Sequence, residues 1–376
     1  MAKQLVNKNN PIPRYLQVMQ LLEDRIRYGE YALGARIPGE RELALEFQVS
    51  QMTVNKAILA LVDSGCLYRE QGRGTFVRSD FRPAGPTVAK VGVVVPISVD
   101  HVLDDFYMGS LFRGIQRAVA NAPVSLSIME AIGNVGERLL SAPMDAFLII
   151  GMLERDLPAV KQLHAAGKRA VVLGSHWDQM GTPFVDSDNV HGTKAALDHL
   201  LSLGHTRIAG VFALANTSNT IERIATFNAF QKEHGLDAPP EYAVIDEENY
   251  PTSGHLLSNS ARQQVHRLLR RENRPTAFFC GGYFLALETI EAIRSERLRV
   301  PDDVSVIGFD DPVSAAHLSP PLTTVRQPLD EMGRRAMTIL MEWVQTHREP
   351  QRGEVLPTML IPRASTARIL KTPLNL

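Results

Sequence analysis

Apolar positions in the first eighty residues recur at helical spacing and then give way to short strand-like runs. Tyr15, Val18, Leu22 and Ile26 fall three and four apart, one face of a helix that Gly29 stops. Leu43 and Phe47 mark a second short helix just after Pro38. Ser50 stands where an N-cap belongs, and Val54, Ala57, Ile58 and Leu61 supply the buried stripe of a third helix. After Gly65, Leu67-Tyr68-Arg69 and Thr75-Phe76-Val77 read as two strands around the turn Gly72-Arg73-Gly74.

Residues 79–89 carry two prolines, a glycine and no periodicity, which predicts a linker. Beyond it, continuously apolar runs alternate with longer amphipathic stretches. The runs are 91–95, 126–129, 146–150 and 170–173, then 208–212, 243–245, 277–280 and 304–308. Between them, 108–120, 158–166, 192–203, 221–234, 256–271 and 284–297 read as helices. Strands apolar on both faces, each followed by a helix, predict parallel sheets with right-handed crossovers. Two sets of about four such units predict two doubly wound subdomains in an α/β domain.

Helix, turn, helix and basic hairpin in this order make a winged helix-turn-helix, a piece too small to be an enzyme by itself. The third helix buries one face and shows Gln51, Met52, Thr53, Asn55 and Lys56 on the other. Gln and Asn can pair bidentately with adenine, Thr can touch a thymine methyl or a phosphate, and Lys can neutralise a phosphate. Ser50 at the cap and Arg41 on the second helix join this surface. A turn carrying Arg73 between Gly72 and Gly74 can approach a backbone or a narrow minor groove closely. The alternative is a helical oligomerisation module with a solvated polar face.

Composition is permissive. Net charge is −1, so the chain is no globally basic coat for nucleic acid. Residues 1–80 hold 3 Lys and 8 Arg against 9 acids, which leaves about +2 on the reader and about −3 on the remainder. Arg41, Lys56, Arg69 and Arg73 could converge on one face. No run has the length of a signal peptide core or a membrane span, which predicts a cytoplasmic chain with no membrane partner. Cys66 and Cys280 fall in different domains, so no disulfide framework is expected, and Cys280 reads as a small buried hydrophobe.

In doubly wound sheets, ligands bind at the carboxyl ends of the strands where strand order switches. That rule selects Asp104, Asp105 and Phe106 after the first strand and Ser175, His176 and Trp177 after the fourth. It also selects Asp188 on the crossover, Arg223 on the helix after 208–212, Tyr283 after Cys280, and Asp310 after 304–308. Carboxylates and an Arg converging with aromatics suit a polyol: charges bond hydroxyl groups and ring faces cover the sugar. Taken singly, each Asp also reads as a helix cap and the Arg as a surface partner.

Two resemblances add to this reading. Residues 11–78, through Ile37-Pro38-Gly39-Glu40-Arg41-Glu42-Leu43-Ala44, Val49-Ser50-Gln51-Met52-Thr53-Val54-Asn55-Lys56-Ala57 and the Gly72 to Gly74 wing, resemble the DNA-binding domain of GntR regulators. The resemblance implies that Arg41, Gln51, Thr53, Asn55 and the wing face DNA. That family usually has Arg where Gln51 and Asn55 stand, a change expected to alter which bases are read and to weaken phosphate contact. The second half, through Val185-Asp186-Ser187-Asp188-Asn189, Leu203-Gly204-His205, Glu222-Arg223-Ile224, Val300-Pro301-Asp302-Asp303 and Pro320-Pro321-Leu322-Thr323-Thr324, resembles the effector domain of LacI/GalR regulators. It implies that Arg223 and Asp310 bind hydroxyl groups and that Asp188 lies at a matching crossover. That family often has Asn-Asp at Gly282-Tyr283 and Asp at Gly174; Tyr283 could instead stack on a ring and add a phenol.

The combination is similar to the arabinose-repressor class of hybrid regulators. It implies a homodimer on double-stranded operator DNA, a repressor answering to a small-molecule effector of sugar type, and no cofactor or metal. The expected layout is a reader at 1–79, a linker at 80–89, an effector domain at 90–366 and a tail at 367–376. The effector subdomains are expected at about 90–185 plus 326–352, and 188–318. A non-sugar effector around Tyr283, or an effector domain kept only for dimerisation, stays open. Catalysis is disfavoured by the absence of a Gly-x-Gly-x-x-Gly, a phosphate-binding loop or a nucleophile elbow. His199 and His205 are poorly spaced for zinc.

Overall fold

The computed structural model describes residues 13–27, 29–81, 89–96, 98–102, 105–120, 122–131, 135–177, 180–236, 239–246, 257–346, 348–350 and 353–369. The chain splits into two compact units, Met1–Val88 and Ala89–Leu376. The middle of the predicted linker, 82–88, and Asp104 lie outside the described residues.

The first unit has α1 (Arg14–Arg27), α2 (Glu40–Phe47), α3 (Gln51–Asp63), β1 (Leu67–Glu70) and β2 (Gly74–Val77). Its core gathers the predicted stripes: Val18, Leu22 and Ile26 of α1, Leu43 and Phe47 of α2, and Val54, Ala57, Ile58 and Leu61 of α3. Ser50 caps α3, its hydroxyl accepting the Thr53 amide at 3.2 Å. The β1–β2 hairpin is antiparallel, with Tyr68 stacked on its cross-strand partner Phe76.

The second unit begins with β3 (Ala89–Val95), α4 (Val99–Val102), α5 (Phe106–Val119), β4 (Val124–Glu130) and α6 (Val135–Ser141). Then come β5 (Ala146–Ile150), α7 (Leu157–Ala165), β6 (Arg169–Leu173), β7 (Phe184–Ser187), α8 (Asn189–Ser202), β8 (Ile208–Phe212), α9 (Ser218–Glu233) and β9 (Ala243–Ile245). The remaining elements are α10 (Asn259–Leu269), β10 (Ala277–Cys280), α11 (Tyr283–Ser295), β11 (Ser305–Phe309), β12 (Thr323–Arg326), α12 (Leu329–Thr346), β13 (Glu354–Leu356) and β14 (Met359–Ile361).

Two six-stranded sheets result, ordered β13-β7-β6-β5-β3-β4 and β14-β12-β11-β10-β8-β9. Each lies between helix layers, α5 and α12 against α6 and α7 in the first, α10 and α11 against α8 and α9 in the second. Every apolar run expected as a strand is one. Four strands escaped the pattern, β7, β12, β13 and β14, because each is only three or four residues long at a crossing between subdomains.

One departure concerns direction: β14 runs antiparallel to β12, whereas all-parallel sheets were expected. The cause is connectivity. β12 leaves the second subdomain on its way to α12, and β14 enters it from β13 after only two residues, so they meet head to tail at the same edge. The predicted tail also starts late. His205 Nε2 lies 3.0 Å from the Ala367 carbonyl and the Ile369 amide donates to the Leu203 carbonyl, so 367–369 are stitched to the second subdomain. No helix among the described residues is long and apolar enough to cross a membrane.

Helices α5 and α12 pack through glycines. A Cβ on Gly114 would lie 1.9 Å from the Asp330 carbonyl oxygen, and one on Gly333 2.2 Å from that of Leu111. Backbone on both sides leaves nowhere to give. Gly114→Ala is therefore expected to destabilise the chain by about 1–3 kcal/mol in urea denaturation; an unchanged midpoint would show that the two helices separate freely.

Candidate functional site

A cavity of about 210 Å³ opens between the subdomains at the carboxyl ends of the strands, many times the room one water needs. Arg223, in the first turns of α9, forms its floor. The side chain is buried, and its Nε and Nη2 donate to Asn189 Oδ1 at 3.0 and 2.9 Å, while Nη1 donates to the Gly281 carbonyl at 2.7 Å. The guanidinium lies 3.6 Å above the Phe309 ring. Burial pushes its pKa down, and the nearby Asp310 carboxylate pulls it back up. A guanidinium has five N–H donors and three are spent, so two remain without a partner among the described residues.

Asp310 sits at φ +74°, a left-handed conformation that Asp tolerates better than branched residues, directly after β11. Its carbonyl accepts Thr324 Oγ1 at 2.5 Å, and Gln327 donates to Oδ1. These bonds hold the carboxylate at the cavity wall. Asp105 also lines the cavity while capping α5, accepting the Met108 amide at 2.9 Å. Phe106, Tyr283 and Phe284 make an aromatic wall, with Phe106 edge-on to Tyr283 at 5.7 Å between centroids. The Tyr283 hydroxyl donates to Ser314 Oγ at 2.8 Å, which engages the proton of the phenol and leaves its oxygen able to accept.

Three expected wall residues lie elsewhere. Asp188 caps α8, accepting the His191 amide at 2.7 Å, and its backbone is tied to Leu356 and Thr358 of the third crossover. Ser175 is fully buried, and Trp177 packs on the apolar cluster under α6 and α7. Each follows a strand end, but Ser175 and Trp177 are turned inward and Asp188 is taken up by its helix. The polar run after β8 was overlooked: Asn216, Thr217, Asn219 and Thr220 all line the cavity, as does Asp246 after β9. The strand-end rule applied to those two strands would have found them. Asn189 escaped because only the fold brings it behind Arg223. Tyr107 also lines the wall, and a Cβ at Gly174 would lie 2.4 Å from its hydroxyl, so the phenol fills the space a side chain there would take.

The β8–α9 loop ties the subdomains together. The Glu154 amide donates to the Asn216 carbonyl at 3.0 Å, Asn219 Nδ2 to that of Gly174 at 3.3 Å, and the His176 amide to Ser218 Oγ at 2.8 Å. His176 also bridges two carboxylates, Nδ1 3.0 Å from Asp186 and Nε2 3.0 Å from Glu222. Those bonds raise its pKa to about 10, against the opposing pull of burial. Burial pushes the Asp186 carboxyl up, and the imidazolium and the Ser187 amide pull against it. Among the described residues, no group of three or more His, Cys, Asp or Glu could hold a metal. Cys66 and Cys280 are buried free thiols, each pushed up to about 12 mainly by desolvation.

On the reader unit, Arg41, Gln51, Met52, Lys56, Gly72 and Arg73 are exposed, with Thr53, Asn55 and Gly74 half-buried. Met52 is 82% exposed. The expected basic face is largely paired: Arg69 with Glu40 at 2.6 Å, Arg73 with Glu70 at 2.5 Å, and Lys56 over the Tyr15 ring at 4.1 Å. Asn55 Nδ2 donates to Glu40 Oε1 at 2.9 Å. Exposed pairs of this kind are weak enough for phosphates to compete. Gly74, at φ +125°, passes so close to Arg36 that a Cβ would lie 2.7 Å from its Nε.

Residues 14–77 match the family described as bacterial regulatory proteins, gntR family, and residues 197–366 match the periplasmic binding protein-like domain. Reader and cavity therefore define a DNA-binding transcription regulator built from a winged helix and a periplasmic-binding-protein-like unit. An arabinose metabolism transcriptional repressor of Geobacillus stearothermophilus is 28% identical over 96% of this chain and 100% of its own length. That of Halalkalibacterium halodurans is 27% identical over 94% and 96%. The regulator DegA of Bacillus subtilis is 36% identical over 50% of this chain and 52% of its own. A CelR–cellobiose complex shares the fold at TM-score 0.64, with 23% identity over 85% of this chain and 92% of that one. A LacI family regulator from Enterococcus faecium with bound ribose does so at TM-score 0.61, with 23% identity over 75% and 100%. The chain thus joins a gntR-family domain to a periplasmic-binding-protein-like domain, and it is similar to these repressors over nearly its full length.

Because pairing lifts His176 from 6.5 to about 10, the folded chain keeps a proton that the unfolded chain releases between those values. The stabilisation is full below about pH 6.5 and disappears as pH rises through about 10. Melting temperatures measured across that window should fall more steeply for the native chain than for His176→Gln; parallel curves would show that the pair adds no pH-dependent stability.

Proposed function

We propose that this regulator is a cytoplasmic, homodimeric repressor whose affinity for operator DNA is set by a sugar bound between the effector subdomains. The observation that carries the effector reading is Arg223: a buried guanidinium lining the cavity, with two N–H donors unspent among the described residues and the Asp310 carboxylate on the same wall. Donor and acceptor lining one cavity suit vicinal hydroxyl groups, and the rings of Phe106 and Tyr283 suit the apolar flank of a sugar ring. Asp105, Asn216 and Asn219 add polar contacts. The names of the full-length relatives support both the sugar and the sign of the response. Catalysis, a cofactor and a membrane partner have no part in this reading.

Two copies would place two α3 helices in successive major grooves of a near-palindromic site. Arg41, Ser50, Gln51, Met52, Thr53, Asn55 and Lys56 would face bases and phosphates, and Gly72, Arg73 and Gly74 the flanking backbone. Asn55 can read adenine only by exchanging its bond to Glu40 for one to the base. Effector closure would move the reader through the three crossovers, by no more than the effector's differential affinity for the two states.

Thermal-shift measurements with L-arabinose, D-ribose and cellobiose test the effector. A ligand at a hundred times its dissociation constant adds about 2.7 kcal/mol. One of these sugars should raise the melting temperature of the native chain and not of Arg223→Ala, whose DNA affinity should be unchanged. Silence across the three would overturn the sugar reading. On DNA selected by the protein from a random pool, Gln51→Ala should lose about 1–3 kcal/mol of discrimination at one base position with the salt slope retained. A uniform loss with a shallower slope would make Gln51 a phosphate contact instead.

A further inference from the structure

A line of buried and half-buried polar contacts runs from the cavity floor back into the first subdomain. Asn189 Oδ1 accepts both Arg223 bonds, and its Nδ2 donates to the Ser187 carbonyl at 3.1 Å and to Glu222 Oε2 at 2.9 Å. The other oxygen of Glu222 meets His176 Nε2 at 3.0 Å, and His176 Nδ1 meets Asp186 at 3.0 Å. With a carboxylate at each nitrogen, both must donate, since a neutral ring would turn a lone pair on one of them. Stacking on Phe184, 4.6 Å between centroids and 12° between planes, holds the ring, and a hydrogen bond from its backbone amide to Ser218 Oγ holds the backbone behind it. Among the described residues, the charged groups facing it are Asp186 from β7 and Glu222 from α9, with Arg223 one residue further on.

The orientation of the Asn189 amide is the consequence. The Glu222 carboxylate and the Ser187 carbonyl accept only, so together they draw the NH₂ of Asn189 towards themselves and leave the oxygen for the guanidinium. If Glu222 moves away, the NH₂ keeps only the Ser187 carbonyl, and the amide is held less firmly against a flip that would set donor against donor at Arg223 in a buried place. We infer that His176 is a positioning residue for the cavity: by bridging Asp186 and Glu222 across the two subdomains, it fixes the carboxylate that orients Asn189 and so the guanidinium of Arg223. Its functional consequence, weaker effector binding once the ring loses its proton, rests on Arg223 being the effector's anchor. The geometric link does not.

The test follows the Arg223 Nε hydrogen by NMR in the ¹⁵N-labelled full chain without any sugar, its signal identified by its loss in Arg223→Lys. Solvent exchange of that hydrogen at pH 6 should quicken about tenfold in His176→Gln, as roughly one hydrogen bond's protection is lost. It should be unchanged in His266→Gln, which breaks a similar ring–carboxylate contact, to Glu296 at 2.7 Å, on the outer helices α10 and α11. In the native chain the His176 ring signal should titrate near pH 10, and Glu222→Gln should bring that midpoint down by about 1–3 pH units. Native exchange rates in a folded His176→Gln would overturn the proposal. So would a native His176 midpoint near its ordinary value, which needs no variant to fold. Failure of every sugar to bind would leave these readouts untouched, so the two readings fall separately.

Discussion

A guanidinium taken out of water has to be answered by protein oxygens, and in this chain that demand falls at Arg223. Asn189 and the Gly281 carbonyl meet it directly, Phe309 covers one face, and Asp310 supplies the nearby negative charge. These partners come from α8, the turn after β10, and the end of β11. A buried cation therefore holds three elements in register and, by keeping two of its donors unspent among the described residues, leaves the cavity a polar floor. The same bonds that stabilise the second subdomain give its ligand surface a definite geometry.

Around that floor, the chain crosses between subdomains three times: after β7, after β12 and after β13. The crossings are bonded to one another. Gln327 joins Ser187 to Asp310, and the Asp188 amide donates to the Leu356 carbonyl at 2.8 Å. Short, mutually bonded crossings permit rotation of one layered subdomain against the other better than sliding, which suits closure about a ligand. The loop after β8 and the His176 bridge add further contacts between the two subdomains.

The reader unit solves a different problem, a tight core in few residues with an exposed recognition face. Its helices are held by a cap at Ser50 and a stripe of fully buried aliphatics. The face left outside is short, polar and marked by one exposed Met52. Arg69 and Arg73 sit in pairs with glutamates, which offsets part of the positive charge on that face. That arrangement disfavours indiscriminate binding and puts weight on the contacts made by base edges.

Periodicity determined much of this protein. The stripes of α1, α2 and α3, the Ser50 cap and the apolar runs of both sheets depend on neighbours within a turn or a strand, so they are legible in order along the chain. Arg223, Asp310, Tyr283, Asp105 and Phe106 were found by the same local logic, since ligand sites follow strand ends. Tertiary structure alone decided what local order cannot carry. It turned Ser175 and Trp177 inward, gave Asp188 a helix to cap, and reversed β14 at the edge where one crossing leaves and another enters. It also put Asn189 behind an arginine 34 residues later in the chain, and closed His176 between Asp186 and Glu222 from opposite subdomains. Hydrogen-bond partners of buried charge are chosen by which elements meet, and that choice is made only when the chain closes on itself.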